Sequence, residues 1–197
     1  MIQTRADLRF YLSEDAKQAN EPVNPSLKIR IANKLLHNYN RQFMVCLRKA
    51  EYYHNNMQTG GVFTKLSYLY YSRKLADLRA KTGNGLYLNV VGPGLHLSHG
   101  KVVIGASAKI GEHCKILSDV TIGGQGRYDR GGVPTLGNRV FVGSGARIIG
   151  DIKITDDVVI GANSVVVKDI LEANTTWAGN PARKISNEGS YHFLNRQ

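Results

Sequence analysis

From Ile104 onward an aliphatic side chain returns at every sixth position. The first run is Ile104, Ile110, Ile116 and Ile122; past one interruption come Leu136, Val142, Ile148, Ile154, Ile160 and Val166. A period of six is neither the 3.6 of an α-helix nor the two of a half-buried strand. It suits a chain that makes one short strand and one corner per repeat around a central core, the pattern of a β-helix solenoid. Four residues after a repeat aliphatic stands a smaller or apolar side chain, at Ala108, Cys114, Val120, Ala146, Ile152, Val158 and Ser164. These are expected to fill the core between the larger residues. Val91 and Leu97 carry the period back to about residue 86, with one extra residue before Ile104. Gly105, Gly111, Gly123, Gly137, Gly143 and Gly161 each follow a repeat aliphatic and are expected to supply a positive φ at the corner. Asp119, Asn138, Asp151, Asp156 and Asn163 add further turn chemistry.

Upstream the period changes. Residues 26–56 read as one helix, with Ser26 as cap after Pro25 and Ile29, Leu36, Phe43, Val45 and Leu47 on its apolar stripe. Thr59-Gly60-Gly61 breaks it, and a second helix over 62–81 carries Phe63, Leu66, Leu69, Tyr70, Leu75 and Leu78. Tyr68, Tyr70 and Tyr71 read as packing residues of a core or interface. So few helices bury too little surface to stand alone and are expected to pack on the solenoid or on a partner subunit. The pattern divides the chain into a helical region (1–83), a solenoid domain (84–186) and a tail (187–197).

Leu136 follows Ile122 by 14 positions, two more than two whole repeats, and the residues between them read GGQGRYDRGGVPT. With so few aliphatics this stretch is expected to leave the core as a loop over 123–135, the kind of segment that carries function on a rigid scaffold.

Composition adjusts this picture only in places. The 197 residues carry a net charge of +11, and residues 1–83 hold 14 Lys/Arg against 6 Asp/Glu. A solvated helix face accounts for that excess, and contact with an anionic membrane surface is the further expectation it raises. No helix-turn-helix, zinc-finger or aromatic ribonucleoprotein motif is present, so no nucleic-acid partner is expected. Cys46 and Cys114 fit no metal or redox spacing, so no disulfide is expected. With no bilayer-length apolar run and an acidic N-terminal stretch, the reading is cytoplasmic.

Three histidines fall in the solenoid: His96, His99 and His113. Their spacing makes a poor ligand set, and no metal is expected. His99 stands where the extra residue disturbs the period, and a neutral imidazole there could act as a general base. His96 and His113 read as surface residues.

The segments GLHLSHGKVVIG, KILSDVTIGGQG, VFVGSGARIIGDI, VVIGANSVVVKDI and TTWAGNPARKI, in this order over about residues 84–186, together resemble the hexapeptide acyltransferases of the serine acetyltransferase group. The resemblance implies a mainly β protein, a left-handed parallel β-helix behind an N-terminal α-helical segment. It also implies a homotrimer with active sites between subunits and acetyl-CoA as donor. By position it makes His99 the catalytic base and the Gly123-Gly124 turn a source of N–H groups near the thioester. Ser144 and Ala162 fall where the pantetheine arm is lined, and Arg183 or Lys184 where CoA phosphates are met.

Three departures bear on the acceptor. The group pairs its histidine with an aspartate fifteen residues upstream, and here that residue is Asn84. It carries an Arg-His pair before the loop proline, and here Gly132 and Val133 precede Pro134. Its helical domain is longer. The segment TGNGLYLNVVGPGLHLSHG is more similar to serine-acetyltransferase-like enzymes of exopolysaccharide synthesis, which implies a sugar or glycan hydroxyl as acceptor. Arg127, Tyr128, Asp129 and Arg130, with Asn84, then become the candidate acceptor contacts. O-acetylation of serine, N-acetylation of an amino sugar and a non-catalytic assembly module are the alternatives.

Overall fold

The structure, a computed structural model, describes residues 1–23, 25–29, 38–126 and 132–194. The six-residue repeats wind into a three-sided prism. One side stacks β1 (His96–Leu97), β4 (Lys115–Ile116), β7 (Phe141–Val142), β10 (Val159–Ile160), β12 (Thr176–Gly179) and β13 (Ala182–Ser186). The second stacks β2 (Val103–Ile104), β5 (Thr121–Gly123), β8 (Arg147–Ile149) and β11 (Val165–Val166), and the third β3 (Lys109–Ile110), β6 (Thr135–Leu136) and β9 (Lys153–Ile154). All neighbours run parallel except the closing β12–β13 pair. From β1 to β11 each pairing joins a strand to the third one along, so three repeats make a coil. All ten repeat aliphatics from Ile104 to Val166 are at most 4% exposed. Ala108, Cys114, Val120, Ala146, Ile152, Val158 and Ser164 are buried beside them, so one column of large and one of small side chains fill the prism.

The corners differ from expectation. None of the six glycines that follow a repeat aliphatic has a positive φ. The left-handed residue comes two positions later, at His113, Arg139, Gly145 and Asn163, for example. There coil-to-coil bonds hold the conformation: the Arg139 N–H donates to the Glu112 carbonyl at 2.7 Å and the Asn163 N–H to the Ser144 carbonyl at 2.8 Å, while one position earlier Asp156 Oδ1 accepts from the Asn138 N–H at 2.8 Å and Asn138 Oδ1 from the Glu112 N–H at 2.9 Å. Close stacking is what demands glycine. A Cβ on Gly137 would stand 2.2 Å from Asp156 Oδ1, and one on Gly111 would stand 2.4 Å from the Gly137 carbonyl.

The interruption resolves differently as well. Ile122 and Leu136 lie on successive sides of the prism, so the segment between them replaces one corner rather than two repeats. The pairing of Thr121 with Arg147 spans 26 residues where Thr135 with Lys153 spans 18, an excess of eight carried outward by the loop.

At the N-terminal end three helices are described. The helix α1 (Arg5–Gln18), closed by a Thr4–Asp7 capping box, had no counterpart in the periodicity. The helix α2 (Tyr39–Asn55) starts afresh at Asn38, whose side chain accepts from the Arg41 N–H, so the single helix expected over 26–56 gives way to a new start at this cap. The helix α3 (Val62–Thr82) matches the expected span and ends on Gly83 at φ 70°. Phe43, Leu47 and Ala50 of α2 join Leu86, Val90 and Val91 in the prism core, so these helices cap the solenoid. Of the α3 tyrosines, Tyr71 stacks on Tyr53 at 5.5 Å, while Tyr70 is exposed with Phe63, Leu66 and Leu69. No described helix is long and apolar enough to cross a membrane.

Candidate active site

The extra residue before Ile104 is visible in the register: Leu97 pairs with Ile116, nineteen residues on, where regular coils take eighteen. It enlarges the corner at residues 98–101. Lys101 turns left-handed at φ 67°, and its N–H donates to the Thr82 carbonyl at the end of α3. A Cβ on Gly100 would stand 2.0 Å from that same carbonyl oxygen, so the corner is pressed against the helix end. The His99 side chain is exposed on this corner.

Following the register along the axis puts His99, Ser118, Ser144 and Ala162 on one edge of the prism. The Ser98 N–H donates to the Ile116 carbonyl, the Gly145 N–H to the Ser118 carbonyl and the Asn163 N–H to the Ser144 carbonyl. Ser118 Oγ also reaches Ser144 Oγ at 3.3 Å. The Gly179 N–H of the closing hairpin donates to Ser164 Oγ at this end, and Arg183 and Lys184 follow on β13. From β1 to β12 is four strand spacings, about 19 Å at ~4.8 Å each. The edge is thus a straight track with His99 at one end and cations at the other. Arg183 is exposed there, while Lys184 is held by Glu172.

The other candidates fall elsewhere. Gly123 and Gly124 lie on the next edge, across the second side from His99, so one chain does not bring them together. Asn84 is 1% exposed and its amide is fully engaged. Its Oδ1 accepts from the Val102 N–H at 3.1 Å and its Nδ2 donates to Asn40 Oδ1 at 3.3 Å. Rather than facing an acceptor, Asn84 ties the corner that carries His99 to α2. Gly132 sits against Asp151, where an added Cβ would stand 2.0 Å from the Asp151 Cβ. No larger side chain fits there, so this loop position supplies no clamp. Arg127, Tyr128, Asp129 and Arg130 lie outside the described residues.

His96 corrects the sequence reading. It is half-buried, and burial, reinforced by the nearby Lys115 cation and the neighbouring His99 ring, holds its imidazole below the ordinary histidine range. Its Nδ1 is buried without a hydrogen-bond partner among the described residues. His113 takes a corner at φ 55° with Nε2 3.8 Å from Glu14 Oε2. Both cysteines are free and buried, and burial pushes the Cys46 thiol up to about 11 and the Cys114 thiol to about 12. Among the described residues no three His, Cys, Asp or Glu side chains come together as a metal set. What sequence reading missed is the continuity of the edge, above all Ser118; counting in coils of eighteen rather than repeats of six would have found it.

A prism of parallel coils with a histidine at a widened corner defines the hexapeptide-repeat transferases, and comparison with known proteins agrees. Residues 134–168 match the family of bacterial transferase hexapeptides (six repeats). The serine acetyltransferase of Helicobacter pylori is 41% identical over 127 residues, covering 63% of this chain and 74% of the relative. That of Synechococcus elongatus is 43% identical over 100 residues, covering 50% of this chain and 41% of its own length. Among solved structures, Entamoeba histolytica serine acetyltransferase isoform 3 in complex with cysteine superposes with a TM-score of 0.63 at 25% identity, over 92% of this chain and 62% of that one. A soybean serine acetyltransferase complexed with serine superposes with a TM-score of 0.56 at 26% identity, over 91% and 83%. The chain belongs to the serine acetyltransferase family of hexapeptide-repeat transferases. It is an acyltransferase. These relatives are serine acetyltransferases, and the comparisons give no support to the exopolysaccharide branch expected from residues 82–100.

Proposed function

We propose that this protein is an acetyl-CoA-dependent O-acetyltransferase that acylates the hydroxyl of L-serine. The observation that carries the reading is the single edge joining His99 to the cationic closing hairpin, in a chain whose relatives are serine acetyltransferases. Acetyl-CoA lies along this edge with its phosphates toward Arg183 and its pantetheine arm over Ala162, Ser144 and Ser118. The acyl group then reaches the corner at residues 98–101. Neutral His99 removes the proton from the serine hydroxyl as its oxygen attacks the thioester carbonyl, and returns that proton to the departing CoA thiolate. The Gly123-Gly124 N–H groups that stabilise the oxyanion belong to a neighbouring subunit, because in one chain they lie on a different edge. The reading includes a homotrimer of left-handed β-helices with sites shared between subunits.

A sugar hydroxyl is the second reading, favoured by one observation: Gly132 and Val133 leave no cation in the described part of the loop to hold a carboxylate. Thiol release from acetyl-CoA, measured with L-serine and with a panel of mono- and disaccharides, separates the two. Turnover of serine with none of the sugars is expected; saturable turnover of a sugar with none of serine overturns the first reading.

A further inference from the structure

A cleft of about 200 Å³ opens beside the His99 corner, between the N-terminal helices and the first coil. Glu21, Asn40, Arg41, His96 and Ser98 are among its lining residues. Arg41 and Glu21 pair across it, with side chains 13% and 26% exposed. Two opposite charges thus stand side by side, partly withdrawn from water, in a cleft also lined by Ser98, the residue before the proposed base. His96 lines the same cleft, and its Nδ1 is buried with no hydrogen-bond partner among the described residues.

Resting on the serine reading above, we infer that this cleft is the acceptor subsite, and that Arg41 and Glu21 hold the carboxylate and ammonium of a zwitterionic amino acid. The Arg41 guanidinium presents a planar fork that matches a carboxylate, a role that Gly132 and Val133 cannot fill. Separating a partly buried ion pair is costly unless each charge finds a new opposite partner. An amino acid supplies both partners at once, whereas a neutral sugar supplies neither. The volume agrees, since it lies below the ~300 Å³ where pockets for larger organic ligands begin. Asn40, bonded to Asn84, ties the cleft to the corner bearing His99, so the site that binds the amino acid and the site that deprotonates it share one support.

The test is calorimetric binding of L-serine to the full chain and to Arg41→Gln, Arg41→Lys and Glu21→Gln, with steady-state kinetics in parallel. Arg41→Gln is expected to weaken serine binding about tenfold or more, with Arg41→Lys intermediate, while the KM for acetyl-CoA stays within about twofold and certifies the fold. Ethanolamine, which lacks the carboxylate, should bind the wild type and Arg41→Gln alike. Likewise 3-hydroxypropionate, which lacks the ammonium, should not distinguish the wild type from Glu21→Gln. Serine binding unchanged in Arg41→Gln and Glu21→Gln overturns the cleft assignment and leaves the serine reading standing. A wild type that neither binds nor acetylates serine overturns both.

Discussion

Arg48 and Asp15 form a two-pronged ion pair with no contact to solvent on the Arg48 side: Nε to Oδ2 is 2.8 Å and Nη2 to Oδ1 is 3.2 Å. Glu51 binds Nη1 at 3.1 Å, and the carbonyls of Val91 and Gly92 take further donors of the same guanidinium. Burial alone would depress the Arg48 guanidinium; the charges of Asp15 and Glu51 outweigh it and hold the group above its ordinary value. Asp15 Oδ1 also accepts from the Leu95 N–H, one residue before β1. One residue of α2 thus bolts α1 to the first coil, next to the corner that carries His99.

Breaking this pair from the acid side leaves a buried, uncompensated cation. Asp15→Ala is expected to lower the unfolding free energy by about 3–5 kcal/mol. Urea denaturation followed by circular dichroism measures it, and a loss under about 1 kcal/mol would show that the pair is not the bolt described.

His96 gives stability a pH dependence of known sign. Its imidazole is depressed below the ordinary 6.5, so near that pH the unfolded chain binds more protons than the folded one. The stabilising contribution is full above about 6.5 and is lost as pH falls through the depressed folded value. The melting temperature of wild type should fall more between pH 7.5 and about 5 than that of His96→Gln. Equal falls would contradict the burial of this ring.

His99→Ala should lower kcat by about 10²- to 10⁴-fold with the melting temperature within about 2 °C of wild type, since the side chain is exposed on its corner. A stable protein with unchanged kcat would remove His99 as the base.

Sites shared between subunits can be tested by mixing. His99→Ala and Gly124→Val, whose side chain would crowd the Gly132 carbonyl and displace the turn, should each be nearly inactive; if the proposed sharing between subunits holds, the two refolded together in equal amounts should recover about a quarter of the wild-type sites, those that pair an intact His99 with an intact Gly124 from a neighbour. No recovery despite mixed assembly would place both groups in one chain's site.

The corner glycines should separate into two kinds. Gly137→Ala drives a Cβ to 2.2 Å from Asp156 Oδ1 and is expected to cost about 1–3 kcal/mol, whereas Gly123→Ala meets nothing within 4 Å and should stay within about 0.5 kcal/mol. Thermal unfolding of the two variants reads the difference.

The pattern of the chain by itself determined the prism. An aliphatic residue at every sixth place, with a small or apolar one four positions on, is met by a structure that buries both columns, and the ten repeat aliphatics from Ile104 to Val166 are buried as that pattern requires. It also marked the two faults, at His99 and after Ile122, because each breaks the period. What it left undecided depends on which coils stack and on what packs across them. The six-residue count could not say that His99, Ser118, Ser144 and Ala162 share one edge while Gly123 stands on another, since that follows from three repeats per coil and one extra residue. Nor could it find α1, whose buried Asp15, Ala16 and Gln18 form no long apolar stripe, or show that Arg48 is fully buried. Asn84 looked like a partner for the base because spacing carries no direction; the tertiary structure turns its amide to Val102 and Asn40. Local periodicity records what each side chain needs from the core. Only the packing of the helices against the first coil decides where Glu21, Arg41 and His96 meet, because those contacts join segments that no repeat relates.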